Sequence, residues 1–294
     1  DYKRSKTTMP AMQPEFFAKL KALGFQDQYM HNALQFNFGN GFFTDISQLA
    51  GVDKTDWSWA ALINDLDNDG FKDIYITNGY RRDVYDRDTN KEIADYLKKN
   101  NNVVKSTEEV LGKLPSVKLA NYIYKNQKNL TFKKMIKTWG VDQPSFSNGA
   151  AFGDLDNDGD LDLVVNNVDD PAFLYQNNIN ETQNYLRVKC IGDPKNTFGI
   201  GAKVSIFYGD QQQYVQIKTS RGYLSSSEPI AHFGLGNIQK IDRLLVEWPD
   251  YTTVEEFNIP VNRLMEIVYQ SGQKLATEVP QYNPVFAEST GEFI

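Results

Sequence analysis

The sequence predicts a mainly β fold in two parts: partial β-propeller blades with helical insertions, followed by an antiparallel β-sandwich or barrel. Three observations carry this expectation. The segment WSWAALINDLDNDGFKDIYITNG at 57–79 recurs as FSNGAAFGDLDNDGDLDLVVNNV at 146–168, aligned without a gap at an offset of 89. Residues 32–52 echo residues 121–141 at the same offset, each reading as strand, polar turn and strand around a Phe. From about residue 184, runs such as YLRVKCI, AKVSIFY and RLLVEW alternate apolar and polar residues between Gly, Asp, Asn and Pro turns. That is the period-two pattern of a sheet with one wet face.

Taken in order, the first element is a helix around Pro14–Leu23, with Phe16, Phe17, Leu20 and Leu23 on one face and Gly24 as its stop. Each period then reads strand, turn, strand, connection, strand, aspartate loop, strand, and four short strands per repeat is the pattern of a propeller blade. The spacing exceeds the roughly 40–50 residues of a usual blade. The excess, about 81–115, reads as helical, with capping boxes at Thr89/Glu92 and Ser106/Glu109 and a stop at Gly112. The expected boundaries are therefore a repeat segment over 1–180, a β domain over 181–270, and a linker or the start of a further module over 271–294.

Composition narrows the function classes. A formal charge of −7 with scattered basic pairs speaks against nucleic acid, because duplex binding needs a clustered basic face. No apolar run approaches the roughly 20 residues that cross a bilayer. Cys190 is the only cysteine, so no intrachain disulfide can form. Much of the negative charge sits in two tight clusters, which points to a cation.

Both clusters read D-x-D-x-D-G-x-x-D. Asp65, Asp67, Asp69 and Asp73 align with Asp154, Asp156, Asp158 and Asp162. Carboxylates at positions 1, 3 and 5 converge when such a loop curls, and Gly70 or Gly159 permits the sharp turn. Position 7 (Phe71, Asp160) offers its carbonyl, and position 9 adds a fourth carboxylate. Hard oxygen donors in this number suit calcium, so the sequence is expected to hold two calcium ions. An EF-hand would need a Glu at position 12 and flanking helices, whereas Ile76 and Val165 lie there within β-like runs. Zinc is disfavoured because no His or Cys lies nearby.

These hairpins resemble FG-GAP/VCBS repeats, the blades of integrin α-type propellers. The stretches NTFGIGAKV, GYLSSSEPIAHFGLG and RLLVEWPD resemble the ASPIC/UnbV domain. The pairing is similar to that of large bacterial surface proteins, especially of Bacteroidetes. The resemblance covers about residues 29–270. It departs from the pattern in the first repeat, where WSWAALIND lacks the usual glycines, and near Asn126–Asn129, where lysines stand in place of a Gly/Asp turn. It implies a seven-bladed propeller, of which only about two blades fit, so the chain is expected to be a segment of a longer polypeptide.

A hydrolase reading of Ser225, Ser226, Ser227 and His232 finds no G-x-S-x-G elbow, and His31 is the other of only two histidines. The serines read as turn residues and His232 as a structural group. The resulting expectation is a calcium-binding scaffold or adhesion-type module without catalytic residues, secreted or on a cell surface (the bacterial outer membrane or periplasmic side), with a protein or glycan partner. A secreted carbohydrate-active enzyme, or an accessory glycan-binding subunit, is the alternative.

Overall fold

The computed structural model describes residues 14–25, 31–39, 41–84, 86–101, 103, 106–179 and 183–271. The expected module start at 272–294 lies outside them. The architecture is mainly β. Helix α1 (Pro14–Ala22) forms where the apolar face and the Gly24 stop predict it. Strands β1 (Gln35–Asn37) and β2 (Phe43–Asp45) pair as a small antiparallel hairpin, followed by the short helix α2 (Ser47–Ala50).

Strands β3 (Ser58–Asn64) and β4 (Asp73–Asn78) form the first aspartate hairpin. Helices α3 (Arg87–Lys99) and α4 (Thr107–Leu111) follow, then β5 (Tyr122–Asn126) and β6 (Phe132–Lys134). These strands make one antiparallel sheet in the order β3-β4-β5-β6. The helical insertion therefore lies between two neighbouring strands of one sheet, and the first strands of the echo at 121–141 complete the sheet begun by the hairpin before it. The second hairpin, β7 (Ser147–Gly153) and β8 (Asp162–Asn167), adds β9 (Phe173–Tyr175) across a short turn.

Ser106 caps α4 as expected, accepting the Glu109 N–H at 3.2 Å. The cap of α3 is Asp86, which accepts the Thr89 N–H at 2.8 Å; Thr89 is in the first turn and does not begin the helix. An aspartate ahead of the first turn satisfies an otherwise orphaned donor and favours the positive end of the helix dipole. Gly112 ends α4 in a right-handed conformation (φ −64).

The two hairpins pack on one another through Ala60, Leu62, Tyr75, Leu161, Leu163 and Val165, all buried. A smaller cluster seats Ala50 and Val52 against Ile74, Ile76 and Tyr124. Arg81, in the NGYRRD stretch, pairs with Asp169 and donates to Ser116 Oγ at 3.2 Å, tying the insertion to the turn after β8.

The C-terminal part contains β10 (Asn184–Ile191), β11 (Lys203–Tyr208), β12 (Gln211–Gln216), β13 (Ile230–Gly236), β14 (Lys240–Glu247), β15 (Thr253–Pro260) and β16 (Arg263–Val268). They form two sheets, β12-β11-β14-β15 and β13-β10-β16, rather than a closed barrel. The pairing is not wholly antiparallel, because β10 and β16 run parallel from Leu186/Arg263 to Ile191/Val268. Leu186, Val188, Ile206, Phe233, Leu244 and Val246 interdigitate between the sheets, each contributing about 1.5–3 kcal/mol by leaving water. No helix is long and apolar enough to cross a membrane among the described residues.

Cys190 lies within this core, 2% exposed, and burial pushes its thiol up to about 12. The thiolate is the reactive form. Cys190 is therefore expected to resist a thiol reagent in the native protein and to react once denaturant opens the sandwich. Rapid labelling of folded protein would contradict this packing.

Candidate functional site

The two aspartate loops share one local architecture. The first carboxylate of each accepts the backbone N–H groups of positions 5 and 6: Asp65 from Asp69 and Gly70 at 3.1 and 2.7 Å, Asp154 from Asp158 and Gly159 at 3.1 and 3.0 Å. Gly70 and Gly159 adopt φ of +91 and +98, which a side chain would strain. The position-9 carboxylates close the loops. Asp73 accepts the Leu66 and Asn126 N–H groups at 3.0 and 2.9 Å, and Asp162 those of Leu155 and Asn177 at 2.9 and 2.8 Å.

The predicted ligands converge differently in the two copies. Asp65, Asp67 and Asp73 present oxygens within 4.8 Å of one another, all from buried residues; in the second loop the converging set is Asp154, Asp156 and Asp158. Asp69 accepts the Phe71 N–H through Oδ1 and turns Oδ2 toward Lys125 and Lys128, each at 3.3 Å. The exposed ring of Phe71 lies under Lys128, 4.6 Å from its Nζ. The buried Asp160 accepts the Ile179 N–H at 2.9 Å.

Desolvation dominates the electrostatics. It raises Asp65 to about 6 against the attraction of Lys72, and Asp73 to about 7 against the hydrogen bonds of Asn126 and Leu66. It raises Asp154 too, against the opposing pull of Arg187. Asp67 Oδ1 is buried without a hydrogen-bond partner. A buried carboxylate oxygen with no donor is costly, and a hard cation is the group that this donor set fits.

Several neighbours were not legible from the motif alone. Lys125 of β5 bonds Asp67 Oδ2, while Gln176, just after β9, donates to Asp156 Oδ2 at 2.7 Å. The two residues are equivalent, each followed by an Asn whose N–H reaches the position-9 Asp. The recurring Tyr-x-Asn after each hairpin (Tyr124–Asn126, Tyr175–Asn177) is the sequence signal that could have found them.

The remaining partners come from the C-terminal sheets. Arg187 on β10, nearly fully buried, reaches Asp154 Oδ2 at 2.5 Å and Glu228 Oε1 at 2.7 Å. Asn68, fully buried in the first loop, donates Nδ2–H to the Gly159 carbonyl at 3.2 Å and faces His232 Nε2 through Oδ1 at 2.7 Å. Its own carbonyl accepts the Gly236 N–H at 2.7 Å. Since Nδ2 is the donor end of the amide, Oδ1 must accept, so His232 carries its proton on Nε2. Burial holds its basicity well below the usual histidine range, and the neighbouring cations Lys72 and Arg187 add to the effect. Gly234 on β13 makes the approach possible, because a Cβ there would lie 2.0 Å from Asp65 Oδ2 and 2.6 Å from the Asn68 Cα. Ser225 Oγ is spent on the Tyr223 carbonyl at 2.8 Å, a turn role.

Asn68 and Asn157 occupy the same motif position and share left-handed backbone (φ +54 and +62), but Asn157 is exposed. Asn68→Ala is therefore expected to cost about 2–4 kcal/mol, from lost hydrogen bonds and an orphaned His232, and Asn157→Ala less than about 1 kcal/mol. Denaturant unfolding of both variants checks this, and equal losses would contradict the docking role.

Comparison with known proteins agrees with this layout. Residues 115–165 match the FG-GAP-like repeat and residues 192–274 match the family described as ASPIC and UnbV. The chain is 32% identical to cartilage acidic protein 1 of Mus musculus over 142 residues, 45% of this chain and 21% of that protein. It is 33% identical to the Homo sapiens protein of the same name over 131 residues, covering 41% and 19%. The match spans about a fifth of the length of these relatives. The chain thus joins an FG-GAP-like repeat to an ASPIC and UnbV segment, and over part of its length it is similar to cartilage acidic protein 1.

Proposed function

We propose that the chain is a calcium-stabilised binding module of an extracellular or cell-surface protein, on the outer-membrane side of a bacterium, which presents its loops to a protein or glycan partner. The observation that carries this reading is the buried trio Asp65, Asp67 and Asp73 with Asp67 Oδ1 lacking a donor. In the first loop Asp65, Asp67, Asp69 and Asp73 with the Phe71 carbonyl would hold one ion. In the second, Asp154, Asp156, Asp158 and Asp162 with the Asp160 carbonyl would hold the other. Calcium supplies the positive charge that lets these carboxylates remain ionised and close together. The exposure of Asp156 suits the modest affinities, about 10⁻⁴–10⁻³ M, of extracellular calcium modules.

Ion binding to the folded state alone stabilises it by about 2.7 kcal/mol at a hundredfold excess over Kd, or about 5–10 °C in Tm for a chain of this size. Calcium is expected to raise Tm by this order over excess EDTA, and Asp65→Asn combined with Asp154→Asn to abolish the increment. Coincident melting curves of the native chain with calcium and with chelator would end the reading.

The loops should also differ. Calcium entering the first must displace the Lys125 ammonium from Asp67, whereas in the second the equivalent Asp156 meets the Gln176 amide and the cation present, Arg187, sits on Asp154. Lys125→Gln is expected to tighten the first site about 3–10-fold, roughly 0.7–1.4 kcal/mol, in a calorimetric calcium titration. Unchanged or weaker binding would show that Lys125 does not compete.

A further inference from the structure

A cleft of about 270 Å³ opens between the first hairpin and the C-terminal sheets, and Lys72, Lys218 and Arg221 line it. None of these cations has a carboxylate within ion-pair distance among the described residues, although Lys125, Lys128 and Arg187 at the same seam are all paired. Lys72 spends one donor on Asn64 Oδ1 at 3.2 Å, and Arg221 makes one long contact, to the Gln216 carbonyl at 3.4 Å. The carboxylate in the lining, Glu228, is held by Arg187 at 2.7 Å and by the Asp154 N–H at 3.3 Å. A protein of formal charge −7 thus gathers three cations in one concavity, of which Lys72 also feels Asp65 and Asp73 behind it while Lys218 and Arg221 have no carboxylate to match them among the described residues. Like charges held together in a partly desolvated site call for a counter-anion.

The rest of the lining indicates what carries that anion. Tyr214 is 50% exposed and offers an aromatic wall. The Gln216 amide can both donate to and accept from hydroxyls, and Asn64, whose Oδ1 already accepts from the Asp65 N–H and Lys72, can donate through its Nδ2. The volume lies near the small end of the roughly 300–1,000 Å³ typical of ligand sites, which suits one ring better than an extended chain. The geometry points to an acidic sugar unit of the uronate class, its carboxylate set between Arg221, Lys218 and Lys72 and its ring against Tyr214. A planar guanidinium is the natural partner of a carboxylate. This rests on the glycan-binding side of the reading above and names the chemical class of its ligand.

The test is calorimetric titration of the 294-residue chain, in calcium, with glucuronate, glucose and inorganic phosphate. Glucuronate is expected to bind at least tenfold more tightly than either of the others. Lys218→Met combined with Arg221→Met, both outside the aspartate loops, is expected to weaken it at least tenfold while leaving the calcium increment in Tm unchanged. Equal binding of glucuronate and glucose, or glucuronate binding that survives the double substitution, overturns the proposal. Phosphate binding as tightly as glucuronate overturns the sugar assignment. A native chain that shows the calcium increment without glucuronate binding refutes this inference alone, whereas loss of the increment refutes the calcium reading.

Discussion

The structure depends on one buried amide. Asn68 ties the first aspartate loop to the second through the Gly159 carbonyl, and to β13 through His232 and the Gly236 N–H. A loop made of carboxylates would ordinarily face water, because burying charge is among the most expensive steps in folding. Here it is buried under a neighbouring sheet, and every nearby choice follows from that. Gly234 removes the Cβ that would strike Asp65. Arg187 is drawn into the seam to meet Asp154 and Glu228. His232 stays neutral with a fixed tautomer, stacked 6.4 Å from Tyr185. The hairpins and the C-terminal sheets are thus coupled through polar contacts as well as apolar ones, so the state of the loops bears on how the two parts sit together.

What could be read from the sequence was what is local. The aspartate motif encodes its own turn, and the position-1 and position-9 carboxylates hold it through backbone N–H groups a few residues away. The strand alternation marked β10, β11, β12, β14, β15 and β16, because burial on one face of a strand is written at period two, whereas β13 reads as a continuous apolar run and is buried along nearly its whole length. Alternation fixes a face and not a neighbour, so it could not show that β16 joins β10 in parallel. Nor could it show that the first sheet spans the helical insertion, bringing β5 to β4 across residues 79–121. Cap residues were legible to within a turn: Asp86 and Thr89 both suit the start of a helix, and only the backbone conformation at Asp86 decides between them.

The candidate site was legible as two sets of ligands and illegible as two environments. Asp67 and Asp156 hold the same motif position, yet one meets an ammonium and the other an amide, because the equivalent position, in or just after the third strand of each sheet, is Lys125 in one copy and Gln176 in the other, at very different distances along the chain from the loop. Likewise Arg187 and Glu228 reach Asp154 from a part of the chain that carries no recognisable acid-binding motif. A repeated sequence guarantees a repeated loop; the charge around it is set by whatever docks there.

That difference has a physical consequence at Lys72. Its ammonium is drawn by Asp65 and Asp73 on one side and lines the cationic cleft on the other. A cation held in the first loop, as proposed, would take up the field of those carboxylates and leave the Lys72 charge available to the cleft. An anion in the cleft would draw the same ammonium away from the loop and leave its carboxylates readier for a metal. Linkage makes such an effect reciprocal, so each ligand would strengthen the other by the same factor. The second loop has no lysine in that position, since Leu161 occupies it and is buried in the contact between the hairpins. Coupling of this kind would therefore belong to the first loop alone, because only there does a lysine stand between the carboxylates and the cleft.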